Sequence, residues 1–197
     1  RWLRQDLGSH YVMTNIADQR LTLVEDHKAV FASKIVVGKT YHATPVFTDR
    51  MTYLVLNPYW NVPRSIAVGE LLPKLKRDPR SVGRRGIRAI SGRQVIHPAK
   101  VNWSRYNASH FPLRLRQNPG PTNALGRIKF MFPNKFSIYL HDTPARHLFE
   151  KADRTFSHGC IRVGDPIALA GFVLKNTDGW DAARVEETIE SRAVPYT

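Results

Sequence analysis

Outside residues 64–118, this chain is written in short extended runs closed by turn residues, a pattern that leaves a sheet as its main architecture. Residues 9–16 mix aromatic and β-branched side chains, 20–25 alternate polar and apolar, and 28–37 resume the extended pattern up to Gly38. Tight turns at Ala17-Asp18-Gln19 and Asp26-His27 join these three runs, which predicts an antiparallel meander. The pattern returns at 51–57, at 125–132 and at 136–141, and Pro133-Asn134-Lys135 joins the last two at hairpin length. Alternation places Ser137, Tyr139 and His141 on one face of 136–141 and Phe136, Ile138 and Leu140 on the other. Tyr139 and His141 should then point together, away from the core. Helix signals are few: residues 64–75, ended by Asp78-Pro79; a short segment capped by Thr143-Pro144; residues 167–175 after Asp165-Pro166; and 181–191, with Val185 and Ile189 inward.

The fold class expected is therefore mainly β (α+β) in one domain spanning 1–197, with an insertion at 64–118. A chain of 197 residues can bury a core without disulfide or metal staples. No apolar run reaches eighteen residues, and no signal peptide is visible. The first residues are Arg1-Trp2-Leu3 rather than methionine, as in a trimmed chain. The net charge is +14 and unevenly placed. Between Arg64 and Arg116 thirteen Lys or Arg face only Glu70 and Asp78. Within that segment residues 80–118 are punctuated by Gly83, Gly86 and Gly92 and poor in apolar residues, with a small hairpin at 89–95, and read as a basic, loop-rich flap. Such a surface suits a polyanion: nucleic acid, an anionic membrane, or a polymer bearing carboxylates and phosphates. Nucleic acid is disfavoured, because residues 74–88 lack the aromatic interleaving of a stacking platform.

The chemistry concentrates in Phe156-Ser157-His158-Gly159-Cys160-Ile161-Arg162-Val163, which holds the only cysteine. One cysteine excludes a disulfide framework and any site that needs two thiolates. A thiol needs a neighbouring imidazole, or amides and cations, to act as a nucleophile at neutral pH. His158 is two residues away; His141 ends a separate strand and can reach the sulfur from across a cleft, so it is the assigned base. The carbonyl or the carboxylate of Asp142 would fix its tautomer. Gly159 frees amides near Cys160 for an oxyanion, and Arg162 is suited to a substrate carboxylate or to pairing with Asp165. Between two prolines, Tyr59 and Trp60 either cap a core edge or wall a cleft. Zinc on His141, His147, His158 and Cys160 lacks a recognisable ligand spacing.

His141, an interval of about sixteen residues, and then Ser157-His158-Gly159-Cys160-Ile161-Arg162-Val163 together resemble the signature of the YkuD-type L,D-transpeptidases. The segments 57–63, 119–126 and 130–134 are similar to the proteobacterial branch that carries a capping subdomain. The resemblance implies an L,D-transpeptidase-like β-sandwich with an inserted basic cap, and a periplasmic, cell-envelope enzyme of a Gram-negative bacterium that needs no cofactor or metal. Carried over by position, Cys160 is the nucleophile, His141 the base and Asp142 its orienting carbonyl. His158, Gly159 and Cys160 form the oxyanion pocket. Tyr139, Ser157, Arg162, Trp60 and Asn123 surround the substrate, with Trp60 near the hinge of the cap. The partners implied are peptidoglycan stem peptides as donor and acceptor, with anionic wall polymer against the cap. The product is a cross-link, a trimmed stem or a wall-anchored protein, according to whether the acceptor is a diaminopimelate amine, water or a protein amine.

Overall fold

The computed structural model describes residues 6–191 and 194–197; residues 1–5 and 192–193 of the expected 1–197 domain lie outside the described residues. The meander forms as expected, with β1 (His10–Asn15), β2 (Arg20–Glu25) and β3 (Lys28–Gly38) paired antiparallel. Asp26 and His27 both take positive φ, which closes the second turn tightly. The eleven residues of β3 do two jobs. Its first part pairs β2, and its last residues pair two strands from the far end of the chain, β11 (Thr155–Ser157) and β12 (Ile161–Val163). Beyond β12 come β10 (Leu140–His141), β9 (Ile128–Met131) and β4 (Tyr53–Leu56), giving the order β1-β2-β3-β12-β10-β9-β4 in an eight-stranded sheet. The two sheets of the expected sandwich are thus hydrogen-bonded to each other through β3.

One apolar core serves both ends of this sheet. Leu21 and Leu23 of β2, Leu56 of β4, Phe130 of β9, Leu140 of β10 and Val163 of β12 belong to it. Each such side chain, removed from water, contributes about 1.5–3 kcal/mol. Two helices close it. In α4 (Pro166–Leu174), Asp165 accepts a hydrogen bond from the Ala168 amide and caps the start, as its Asp-Pro signature predicts. In α5 (Ala182–Ser191), Val185, Thr188 and Ile189 face inward while Glu186, Glu187 and Glu190 stay exposed.

The basic insertion differs from its expectation. Residues 80–118 are not a loop-rich flap: β6 (Ile87–Ser91), β7 (Gln94–Ile96) and β8 (Arg114–Gln117) join β5 (Trp60–Asn61) in a four-stranded sheet of order β5-β8-β6-β7. This sheet has its own core, built on Leu75, Ile87, Trp103, Phe111 and Leu115. Sparse apolar residues suffice because a few large ones meet: the Trp103 and Phe111 rings stack at 6.4 Å, and the Trp103 indole N–H donates to the Pro98 carbonyl at 2.8 Å. A helical run leads into it as α1 (Arg64–Ile66), a π-turn (Ala67–Leu71) and α2 (Leu72–Arg77), followed by α3 (Pro79–Arg84).

A second difference concerns 136–141. Ser137 has φ +56°, so the chain leaves the extended conformation there and only Leu140–His141 pair as β10. Asn134 replaces the expected hairpin turn. Its amide donates to the Phe132 and Ile138 carbonyls at 2.7 Å each, and its oxygen accepts from the Phe136 and Ile138 amides.

Candidate active site

Strand register assembles the site. β10 runs parallel to β12, pairing Leu140 with Ile161 and His141 with Arg162, so Tyr139 stands beside Cys160 one step earlier. Paired residues share a face. Leu140 and Ile161 enter the core, which leaves Tyr139, His141, Cys160 and Arg162 together on the opposite face. The antiparallel pairing of β9 with β10 sets Lys129 beside His141 on that same face. Lys129, His141 and Arg162 therefore form one row across three strands, with Tyr139 and Cys160 in the next.

His141 points away from the apolar core, as its alternation predicts, and is buried. Its Nδ1 bonds the Asp142 carbonyl at 2.5 Å. A carbonyl only accepts, so Nδ1 carries the proton and Nε2 is the unprotonated nitrogen. Of the two Asp142 groups considered, the carbonyl takes this role. The carboxylate accepts from the Arg127 amide at 2.8 Å and from Arg146 at 3.3 Å. Gly126 makes room for it: φ there is +62°, and a Cβ would lie 2.2 Å from the Asp142 carboxylate. Burial pushes the His141 imidazole down to about 3, and the charge of Arg162 adds to this against the Asp142 bond, with Lys129 pressing the same way.

Cys160 is half-buried, and burial pushes its thiol up. The Tyr139 amide and hydroxyl, then Lys129 and Arg162, favour the thiolate and partly offset that cost. The Tyr139 phenol is raised, first by burial and then by the sulfur's charge. Burial thus disfavours the charged form of both groups.

The turn before Cys160 is held from both sides. Gly159 has φ +110°, and a Cβ there would press on Ile138 at 3.1 Å. The Gly159 amide donates to Ser157 Oγ at 3.1 Å, and its carbonyl accepts from Thr44 Oγ1 at 2.8 Å. The Gly159 amide is thus engaged within the protein rather than free for an oxyanion, and buried Ser157 holds the turn instead of facing a substrate. His158 turns outward, bonding Glu70 of the π-turn at 2.6 Å with the His42 ring 5.3 Å away. Among the described residues Arg162 does not pair with Asp165, which caps α4, and its Nε is buried without a partner.

One expected substrate contact lies elsewhere. Asn123 is fully buried; its amide donates to the Pro58 and Asn118 carbonyls and its oxygen accepts from the Leu125 amide, so no surface of it remains for a ligand. Trp60 pairs with Gln117 at the edge of the second sheet. Conversely, Lys129, Thr44 and Glu70 were not singled out from the sequence. Alternation through Arg127-Ile128-Lys129-Phe130 carried a signal for Lys129, and Glu70 stood out as one of two acids in a basic segment. Thr44 had none. Among the described residues no three His, Cys, Asp or Glu side chains converge where a metal could sit.

A cysteine and a histidine on one face of a mixed sheet mark the candidate site, and comparison with known proteins defines the family. The profile of the YkuD family, the L,D-transpeptidase catalytic domain, matches residues 9–186. A Haemophilus influenzae (strain ATCC 51907 / DSM 11121 / KW20 / Rd) protein named "Putative L,D-transpeptidase" is 35% identical over 182 residues, 92% of this chain and 37% of that protein. The chain thus spans little more than a third of the length of that relative. Among solved structures, the Ldtfm-avibactam carbamoyl enzyme aligns over 96% of this chain and 48% of its own at 11% identity, with a TM-score of 0.34. An L,D-transpeptidase from Mycobacterium smegmatis aligns over 95% of this chain and 57% of its own at 10% identity, also with a TM-score of 0.34. The chain belongs to the L,D-transpeptidase catalytic-domain family.

Proposed function

We propose that this domain is a cysteine acyltransferase that cross-links peptidoglycan stem peptides in the periplasm. The observation that carries the reading is the shared face of Tyr139, His141, Cys160 and Arg162, with His141 Nδ1 tied to the Asp142 carbonyl so that Nε2 is the base. As Cys160 Sγ attacks the carbonyl at the L-centre of diaminopimelate in a donor stem, its proton passes to His141 Nε2 and an S–C bond forms. Oxyanion charge falls to the Cys160 amide and the Tyr139 hydroxyl, since the Gly159 amide is engaged by Ser157. The C–N bond then breaks, and the proton on His141 goes to the departing D-alanine amine. An acceptor amine gives its proton to His141, attacks the thioester and expels the thiolate, which recovers the proton. A low imidazole basicity suits this order, because His141 holds the proton only while negative charge develops beside it.

The second sheet and its helices are proposed as the cap. They touch the motif through Glu70 and His158, and α2 and α3 turn Lys74, Lys76, Arg77, Arg80, Arg84 and Arg85 toward solvent. Arg88 is excluded from that surface, since its guanidinium donates to the Gly83 and Ile87 carbonyls at 2.9 Å. The exposed bases suit a carboxylate- and phosphate-bearing wall polymer.

The test is incubation with purified tetrapeptide muropeptides and product identification by mass. Cross-linked dimers with release of D-alanine are expected; trimmed stems alone would make the enzyme a carboxypeptidase, and unchanged stems would overturn the proposal.

A further inference from the structure

We propose that Lys129 and Arg162 form a carboxylate subsite beside Cys160, and that Lys129 selects donors whose leaving residue ends in a free carboxylate. The identity of the donor rests on the acyl-transfer reading above; the subsite itself rests on charge, burial and register. A buried cation needs a counter-charge or hydrogen-bond partners. Here two half-buried cations flank His141, one strand to either side, and neither forms an ion pair with an acid among the described residues. The carboxylates that could serve them are engaged elsewhere. Asp142 holds the Arg127 amide and Arg146, Asp165 caps α4, and Glu70 bonds His158.

Lys129 reaches toward the residue beside the sulfur. Lys129 Nζ lies 4.0 Å from the centre of the Tyr139 ring, and Tyr139 is the residue beside Cys160. Arg162 Nε is enclosed with no partner among the described residues. Cys160 is the acidic group whose charge both cations feel, and burial pushes its thiol up, against the charged form.

The span fits a carboxylate one residue beyond the scissile bond. A peptide residue covers about 3.8 Å between Cα atoms, close to the ~4.8 Å between neighbouring strands. A donor with its carbonyl at Cys160 therefore brings the carboxylate of its leaving residue over the neighbouring strand β10, where Lys129 reaches in from β9 across the Tyr139 ring. An internal peptide bond in the same place would offer a neutral amide to two cations. The subsite thus favours cleavage at a chain end over cleavage within a peptide.

The test uses Cys160→Ala, which lacks the thiol, so its outcome is independent of acyl transfer. N-acetyl-diaminopimelyl-D-alanine and the same peptide as its C-terminal amide are titrated by calorimetry. The acid is expected to bind about tenfold or more tightly than the amide. Adding Lys129→Met should remove about tenfold of affinity for the acid and leave the amide unchanged, while Lys129→Arg should retain the preference; thermal melts confirm that each variant is folded. Equal affinity for acid and amide, no measurable binding of the acid at millimolar concentration, or a preference that survives Lys129→Met would overturn the subsite. Failure of the acyl-transfer reading would appear separately, as a wild-type Cys160 that no donor or β-lactam acylates.

Discussion

The two sheets of this molecule are stabilised by similar means and contribute different things. The eight-stranded sheet brings five side chains of the candidate site together by backbone register, over a core that runs from Leu21 to Ile189. The four-stranded sheet has a separate core around Trp103, and the helical run leading into it meets the cysteine motif through the hydrogen bond between Glu70 and His158, whose side chains are 47% and 33% exposed. An exposed pair is worth at most about 1 kcal/mol. Geometry at Cys160 should therefore depend on the first sheet, whereas the second should tune access and affinity.

The contrast is broken most severely if His141 proves dispensable. His141→Ala should lower the rate of Cys160 acylation by roughly 10²–10⁴-fold with the thermal midpoint retained, because a general base is lost while the strand still pairs. Stopped-flow acylation kinetics would show this; a loss under tenfold would place the base elsewhere. The two cores give the next effect. Phe130→Ala and Trp103→Ala should each cost about 3–5 kcal/mol locally. Only the first should abolish acylation, and hydrogen exchange on Trp103→Ala should show opening confined to 64–117. Uniform opening of both sheets would mean that they unfold as one unit.

Protonation sharpens the same comparison. The folded state holds His141 neutral down to about 3, against an ordinary value near 6.5. Below the ordinary value the unfolded chain takes up a proton that the folded chain refuses. The contribution is therefore complete above about 6.5 and is lost as pH falls toward 3, at up to ~1.4 kcal/mol per pH unit. Urea titrations at pH 7 and pH 4.5 should show this loss in the wild type and a smaller one in His141→Gln; equal slopes would contradict the buried, neutral assignment. The smallest effect belongs to the bridge between the regions. Glu70→Gln should change acylation less than tenfold and act on substrate affinity rather than on the chemical step. A large fall in the saturated rate would show that Glu70 sets the geometry of Cys160.

Local pattern made the first sheet legible. Alternation and turn residues gave the meander, β9 and the cap of α4, and the Ser-His-Gly-Cys run marked the candidate nucleophile. Where tertiary contacts decide, the sequence misled. Ser137 reads as a strand residue until Asn134 draws its loop into a positive-φ turn. Asn123 reads as a site residue because nothing in the chain reveals that three backbone groups, from Pro58, Asn118 and Leu125, consume its amide. The second core was invisible because its members, from Leu75 to Leu115, are scattered among basic residues and become a cluster only once β6 and β8 pair. Lys129 was legible in principle, from the register that sets it beside His141.

The central claim is that Cys160 is the nucleophile of a site built by β10 and β12. Intact-mass spectrometry after incubation with a carbapenem-type β-lactam tests it directly. Wild type should gain the mass of one acyl adduct, mapped by peptide digestion to Cys160, and Cys160→Ala should gain none. No adduct on the wild type, or an equal adduct on Cys160→Ala, would contradict it.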